Sequence, residues 1–110
     1  KKMNWINLET ETQLNQIIEQ SFVKPQAIFK HSTTCSISNV TKSRLDRYDN
    51  TNSRIDFHYL DLLRFRSISN LVASQLDVHH ESPQIILIKN GSCVYDESHM
   101  GIDIEEILEQ

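Results

Sequence analysis

The stretch Gln26-Ala27-Ile28-Phe29-Lys30-His31-Ser32-Thr33-Thr34-Cys35-Ser36-Ile37-Ser38 decides how the chain folds. Its first six residues are apolar enough for a strand lying centrally in a sheet. From Cys35 onward, Ile37, Val40, Tyr48 and either Thr41 or Leu45 recur at helical spacing, which predicts a helix over residues 35–49. The Cys35 thiol therefore stands where a strand passes into a helix. Unpaired N–H groups and the helix dipole at such a junction favour thiolate over thiol. Three residues on lies Ser38, not a second cysteine, so the thiol has no local partner.

Outward from this junction the pattern alternates. Trp5-Ile6-Asn7-Leu8 reads as a short first strand. A helix starting at Thr10 or Thr12 presents Leu14, Ile17, Ile18 and Phe22 on one face, and Pro25 closes the connection. Asn50-Thr51-Asn52-Ser53 ends the Cys35 helix, and residues 55–61 form a strand with alternating large apolar side chains. A helix over residues 65–76 carries Phe65, Ile68, Leu71, Val72 and Leu76. Residues 85–89 and 93–96 are strands joined by Asn90-Gly91, a strong hairpin signal, and Ile104, Ile107 and Leu108 mark a short last helix. The order β-α-β-α-β-α-β-β-α predicts an α/β fold. It comprises a central mixed β-sheet with parallel crossovers, one late antiparallel edge and helices on both faces. A chain of 110 residues suits a single domain over residues 1–110.

Composition narrows the function. A net charge of −4, with both signs interspersed, argues against a nucleic-acid or anionic-membrane surface. No long apolar stretch follows Lys1-Lys2, so neither a signal peptide nor a transmembrane helix is expected. Cys35 and Cys93 do not make a disulfide framework, and a reducing cytoplasm is the default compartment. His31 and Cys35 offer two metal ligands, but a third and fourth at ordinary spacing are missing, so no metal site is expected. A phosphatase-type Cys-x5-Arg loop fails because the matching position is Thr41, and no nucleotide-binding glycine loop is present.

Nucleophilic sulfur chemistry remains. Lys30 and His31 are cations near Cys35 in sequence, and Thr33, Thr34 and Ser36 are candidates to cap the helix or donate to a bound sulfur or carboxylate. The competing reading of Cys35 is an inert core cysteine. Cys93 falls on an edge strand, to be buried with Tyr95 or exposed with Val94, and a structural role is expected for it. His79-His80 either borders the Ser82-Pro83 loop or is plain exposed loop.

Three segments taken together carry a family resemblance: residues 30–38, Glu81-Ser82-Pro83-Gln84, and Ile85-Ile86-Leu87-Ile88-Lys89-Asn90-Gly91. They resemble the thioredoxin superfamily and, within it, the YtxJ-type bacillithiol-system proteins, the monothiol bacilliredoxins. The resemblance covers nearly the whole chain and implies a thioredoxin-like fold. It makes Cys35 the attacking thiol, with Ser38 in the resolving-cysteine position and Pro83 as a cis-proline opposite the cysteine. The implied activity is removal of bacillithiol from S-bacillithiolated cytosolic proteins through a mixed disulfide on Cys35. Bacillithiol is then a low-molecular-weight co-substrate, no cofactor is tightly bound, and the protein is a monomer or weak dimer. Thr34, Ser36, Ser38 and Pro83 would support the nucleophile, and Lys30, Thr33 and Ser82 would contact substrate. The family often has proline after the active cysteine; Ser36 stands there instead, which alters the start of the helix and leaves the nucleophile intact. Two other readings stay open: a monothiol glutaredoxin-like iron–sulfur carrier, although the Cys-Gly-Phe-Ser pattern is absent, and a non-catalytic redox-regulated interaction protein.

Overall fold

The computed structural model describes residues 2–110. Its elements are β1 (Ile6–Asn7), α1 (Glu11–Gln20), β2 (Gln26–His31), α2 (Ser36–Asp46), β3 (Asp56–Asp61), α3 (Arg66–Leu76), β4 (Gln84–Lys89), β5 (Ser92–Ser98) and α4 (Ile104–Leu108). A 3-10 turn, His99–Gly101, separates β5 from α4 and packs against α2. The strands form one sheet in the order β1-β3-β2-β4-β5. β2 lies parallel to β3 and antiparallel to β4, and all six of its residues are buried. This is the mixed sheet that the alternation predicts, of the thioredoxin-like kind.

The sheet separates two apolar layers. Phe29, Phe57, Ile85 and Leu87 face Leu45 of α2 and Ile107 of α4. On the other face Ile28, Leu60, Ile86 and Ile88 meet Leu14 and Ile17 of α1 and Ile68, Val72 and Leu76 of α3. Because strand side chains alternate, neighbours along β2 are committed to opposite layers.

Local chemistry sets the element ends, and those of α1 and α2 depart from expectation. Thr10, not Thr12, caps α1. Its hydroxyl accepts from Gln13 N while its own N–H donates to Gln13 Oε1, each at 3.1 Å. α1 stops at Gln20, so Phe22 lies outside the helix, 62% exposed, and its ring covers Gly91 in the β4–β5 turn. That turn has φ values of +53° at Asn90 and +81° at Gly91, the left-handed pair a two-residue hairpin favours. Ser21 holds it in place: Asn90 N donates to the Ser21 carbonyl at 2.9 Å and Gly91 N to its hydroxyl at 2.8 Å. α2 is shorter than expected, and only the Thr41, Leu45 and Tyr48 part of the predicted stripe faces the core. Ser38, Thr41 and Leu45 are buried, whereas Ile37 and Val40 are 45% and 50% exposed. In β5 a register shift between Leu87 and Ile88 leaves Val94 unpaired. Tyr95 consequently packs with the α2 layer and Cys93 with the α3 layer.

Candidate active site

Beyond His31 the chain turns through Ser32, Thr33 and Thr34, with Cys35 N donating to the Ser32 carbonyl at 3.2 Å. Cys35 is the N-cap of α2, in extended backbone conformation, and its sulfur makes no capping hydrogen bond. The thiol is half-buried, while Thr33, Thr34 and Ser36 on either side are exposed. The expectation that Thr33, Thr34 or Ser36 caps the helix is corrected here. The Thr34 hydroxyl lies 3.4 Å from that of Ser32, and Thr33 contributes its carbonyl, which accepts from Asn39 Nδ2 at 3.1 Å. The N-cap place thus belongs to Cys35, next to first-turn N–H groups that have no intrahelical acceptor. A thiolate there meets the positive end of the helix.

Ser38, at the third helical position, is fully buried. Its oxygen accepts from Ser32 N at 3.1 Å and lies 2.7 Å from His31 Nδ1. The His31 ring is itself buried, stacked on Phe29 at 5.7 Å and tilted against Tyr59 at 5.6 Å. Burial, then the nearby Lys42 charge, pull the imidazole below its ordinary value, while Asp61, an Asn39 hydrogen bond and Asp46 oppose them. The ring is accordingly neutral at neutral pH.

The opposite wall comes from β4. Lys30 pairs with Gln84, so Pro83, the residue just before β4, lies alongside the end of β2, where the Cys35 turn departs. The Ser82–Pro83 peptide is cis, as the resemblance implies, and Pro83 is buried. The Pro83 carbonyl accepts from His99 N at 2.9 Å, which joins the 3-10 turn to this loop. Glu81 stands 3.5 Å from His99 Nε2 and 3.7 Å from His79 Nε2. The Ser82 hydroxyl is buried without a partner.

Lys30 is not at this surface, which corrects its expected contact with substrate. It is fully buried and points into the α3 layer, donating to the Ser69 carbonyl and to His80 Nδ1, each at 3.1 Å. Burial lowers its ammonium to about 8. The reason is strand alternation: Phe29 and His31 face α2, and Lys30 between them cannot. Cys93 also lies in the α3 layer, half-buried. Burial pushes its thiol up, against a hydrogen bond to the Tyr95 carbonyl and with help from Asp96. Both cysteines are free. Among the described residues no group of three or more His, Cys, Asp or Glu side chains is placed to hold a metal ion. No helix there is long and apolar enough to cross a membrane.

The sequence pattern did not reveal the His31–Ser38 pair, the Asn39 brace or the Glu81–His99 contact. The first two had a signal: a polar residue closing a buried strand, followed seven residues later by a polar residue on the inner face of the next helix. The third depends on a 3-10 turn without a periodic pattern.

Among solved structures the chain is similar to a thioredoxin-fold protein proposed to be an oxidoreductase. The two are 30% identical over 96% of this chain and 93% of that one, with a TM-score of 0.82. It shares its fold with mitochondrial thioredoxin 3 from Saccharomyces cerevisiae, at 17% identity over 96% and 93% of the two chains and a TM-score of 0.74. Thioredoxin NaTrxh from Nicotiana alata matches at 14% identity over 99% and 90%, also with a TM-score of 0.74. The sequence model of the monothiol bacilliredoxin BrxC family matches residues 6–107. With a half-buried thiol at the N-cap position of a helix and a hydroxyl three residues on in place of a second thiol, this chain belongs to the monothiol bacilliredoxins, thiol–disulfide oxidoreductases built on the thioredoxin fold.

Proposed function

We propose that the protein removes bacillithiol from S-bacillithiolated proteins, with Cys35 as the nucleophile. The Cys35 thiolate attacks the bacillithiol sulfur of the protein–bacillithiol disulfide. That S–S bond breaks, the substrate protein leaves as its thiolate, and Cys35 is left disulfide-bonded to bacillithiol. A second bacillithiol thiolate attacks this mixed disulfide, returning Cys35 as thiolate and releasing the symmetrical bacillithiol disulfide. Each exchange conserves the electron pairs, and a thiol must be supplied to complete the cycle.

The observation that carries this reading is Ser38. The resolving position holds a hydroxyl that is buried and committed to Ser32 and His31, so the mixed disulfide has no internal thiol there to break it. Cys93 packs in the other layer of the sheet. Release through a small external thiol is the remaining monothiol route. Exposed Thr33, Thr34 and Ser36, together with the Ser82–Pro83 segment, form the surface on which substrate would lie, while buried Ser38 ties the start of α2 to Ser32 and His31.

Intact-mass measurement of wild type and Cys35→Ala, each incubated with an S-bacillithiolated protein and a glutathionylated control, tests this. Loss of the bacillithiol adduct, with transient addition of bacillithiol to the wild-type chain alone, is the expected result. Equal behaviour of the two chains, or no reaction with either substrate, would overturn it.

A further inference from the structure

On the sheet face opposite α2, the edge strand β1 and the flank of α1 enclose a cavity of about 230 Å³. Its walls are Ile6 and Asn7 of β1 and Gln13, Gln16 and Ile17 of α1, and its floor is His58 of β3. Spacings of three and four along α1 put both glutamines and Ile17 on one stripe.

His58 decides what the cavity can hold. Its Nε2 lies 2.7 Å from Gln26 Oε1. The orientation of that carboxamide is set independently, because Gln26 Nε2 donates to the Lys24 carbonyl at 3.0 Å and to Asp56 Oδ2 at 3.1 Å. An amide oxygen only accepts, so the imidazole proton sits on Nε2 and Nδ1 is a bare acceptor. Burial holds the ring at about 4 against the opposing Asp56 charge, so it is neutral at pH 7. Among the described residues nothing hydrogen-bonds Nδ1, although His58 is only 5% exposed and borders the cavity. The two ring nitrogens point in nearly opposite directions. With Nε2 turned to β2, Nδ1 faces β1, where Ile6 is in register with His58. A buried acceptor without a donor is unfavourable, and a donor placed in the cavity removes that cost.

Gln13 supplies the complementary group. Its Oε1 accepts from Glu9 N at 2.7 Å and Thr10 N at 3.1 Å, which leaves Nε2 as its free end. None of the lining residues is charged at neutral pH, so an ion entering would lose hydration without gaining a counter-charge. The volume is below the roughly 300–1,000 Å³ of pockets for drug-sized ligands, which limits the occupant to a small molecule.

We propose that this cavity binds a small neutral carboxamide, whose N–H donates to His58 Nδ1 and whose carbonyl accepts from Gln13 Nε2. A carboxamide carries both groups on one carbon, and its alkyl part rests on Ile6 and Ile17. The central sheet separates the site from α2 and Cys35, so binding here is independent of the exchange reaction.

Titration of the full chain with isobutyramide at pH 7 tests this, read from the His58 Nδ1 signal in long-range proton–nitrogen spectra. Nδ1 is expected to be unprotonated and to shift saturably, with a millimolar dissociation constant suited to so small a ligand. Isobutyrate, the charged isostere, and N,N-dimethylisobutyramide, which has no N–H, are each expected to leave the signal in place. Gln13→Glu keeps an oxygen for the cap of α1 and removes the free donor; it is expected to weaken isobutyramide binding about tenfold. A protonated Nδ1, or no saturable shift with isobutyramide, overturns the proposal. So does equal binding of either analogue, or undiminished binding by Gln13→Glu. Should that variant not fold, the ligand series on the native chain decides.

Discussion

At the scale of single residues, Lys30 shows how one position can carry two opposite meanings. Five residues before Cys35, it looks like an anion-binding cation. One strand pleat directs it instead into the layer under α3, where its two bonds run to Ser69 and His80. A buried ammonium without a carboxylate partner costs free energy that two hydrogen bonds only partly offset. The same desolvation lowers its ammonium to about 8. The unfolded chain holds the Lys30 proton up to about pH 10.4, whereas the folded chain gives it up from about 8. Between these values the unfolded state binds more protons, so Lys30's destabilising contribution is complete below pH 8 and shrinks as pH rises. Lys30→Met is therefore expected to stabilise the fold at pH 7 by roughly 1 kcal/mol. Urea unfolding at pH 7 and pH 9.5 checks this: the gain should narrow at the higher pH. Loss of stability at pH 7 would mean that the hydrogen bonds to Ser69 and His80 outweigh desolvation.

At the scale of elements, α2 is where periodicity and packing disagree. Ile37 and Val40 are apolar at helical spacing and yet exposed, while the buried face is Ser38, Thr41 and Leu45; Tyr48, beyond the helix end, packs on the core against Phe57. The first turn of α2 rests on His31, a polar floor, and only its last turns reach the core at Leu45. Polar residues thus mark the inner face at one end, a pattern hydrophobic spacing cannot express. Leu45→Ala is expected to cost about 2–4 kcal/mol, as for a buried leucine, while Val40→Ala stays within about 0.5 kcal/mol. Equal costs in chemical denaturation would return Val40 to the core. Elsewhere the elements were legible because their chemistry is local: the Asn90-Gly91 turn, the alternation of residues 55–61, and the apolar Ala27-Ile28-Phe29 centre of β2. Cys35 and Pro83 were legible through motif resemblance. Phe22 was misread because a stripe continues past a helix end that only Ser21, through its bonds to the hairpin, makes visible. His31 and Ser38 escaped because a turn, not a periodicity, brings them together.

At the scale of the whole molecule, the central sheet buries a histidine on each face. His31 lies on the α2 side. His58 lies on the α1 side, 2.7 Å from Gln26 Oε1, to which its Nε2–H donates. Burial lowers both rings, His58 to about 4, with Asp56 opposing only in part. In the unfolded chain each titrates near 6.5. As pH falls from about 6.5 to about 4, the unfolded state takes up protons that the folded state refuses, so stability falls across that window and levels off below it. Asp56 extends the decline. Burial pushes its carboxyl up, but hydrogen bonds from Lys24 and Gln26 and the Lys24 charge bring it below its ordinary value, so its contribution disappears in stronger acid. His58 alone accounts for a loss on the order of 3 kcal/mol between neutrality and pH 4. His58→Gln keeps an N–H for Gln26 and cannot take up the proton. Its unfolding free energy, measured in urea at pH 7.0, 5.5 and 4.5, is expected to fall less steeply than that of wild type. The remaining slope should belong to His31 and the carboxylates. A variant with the wild-type slope would remove His58 as a source of the acid sensitivity and leave it to His31 and the carboxylates, Asp56 among them.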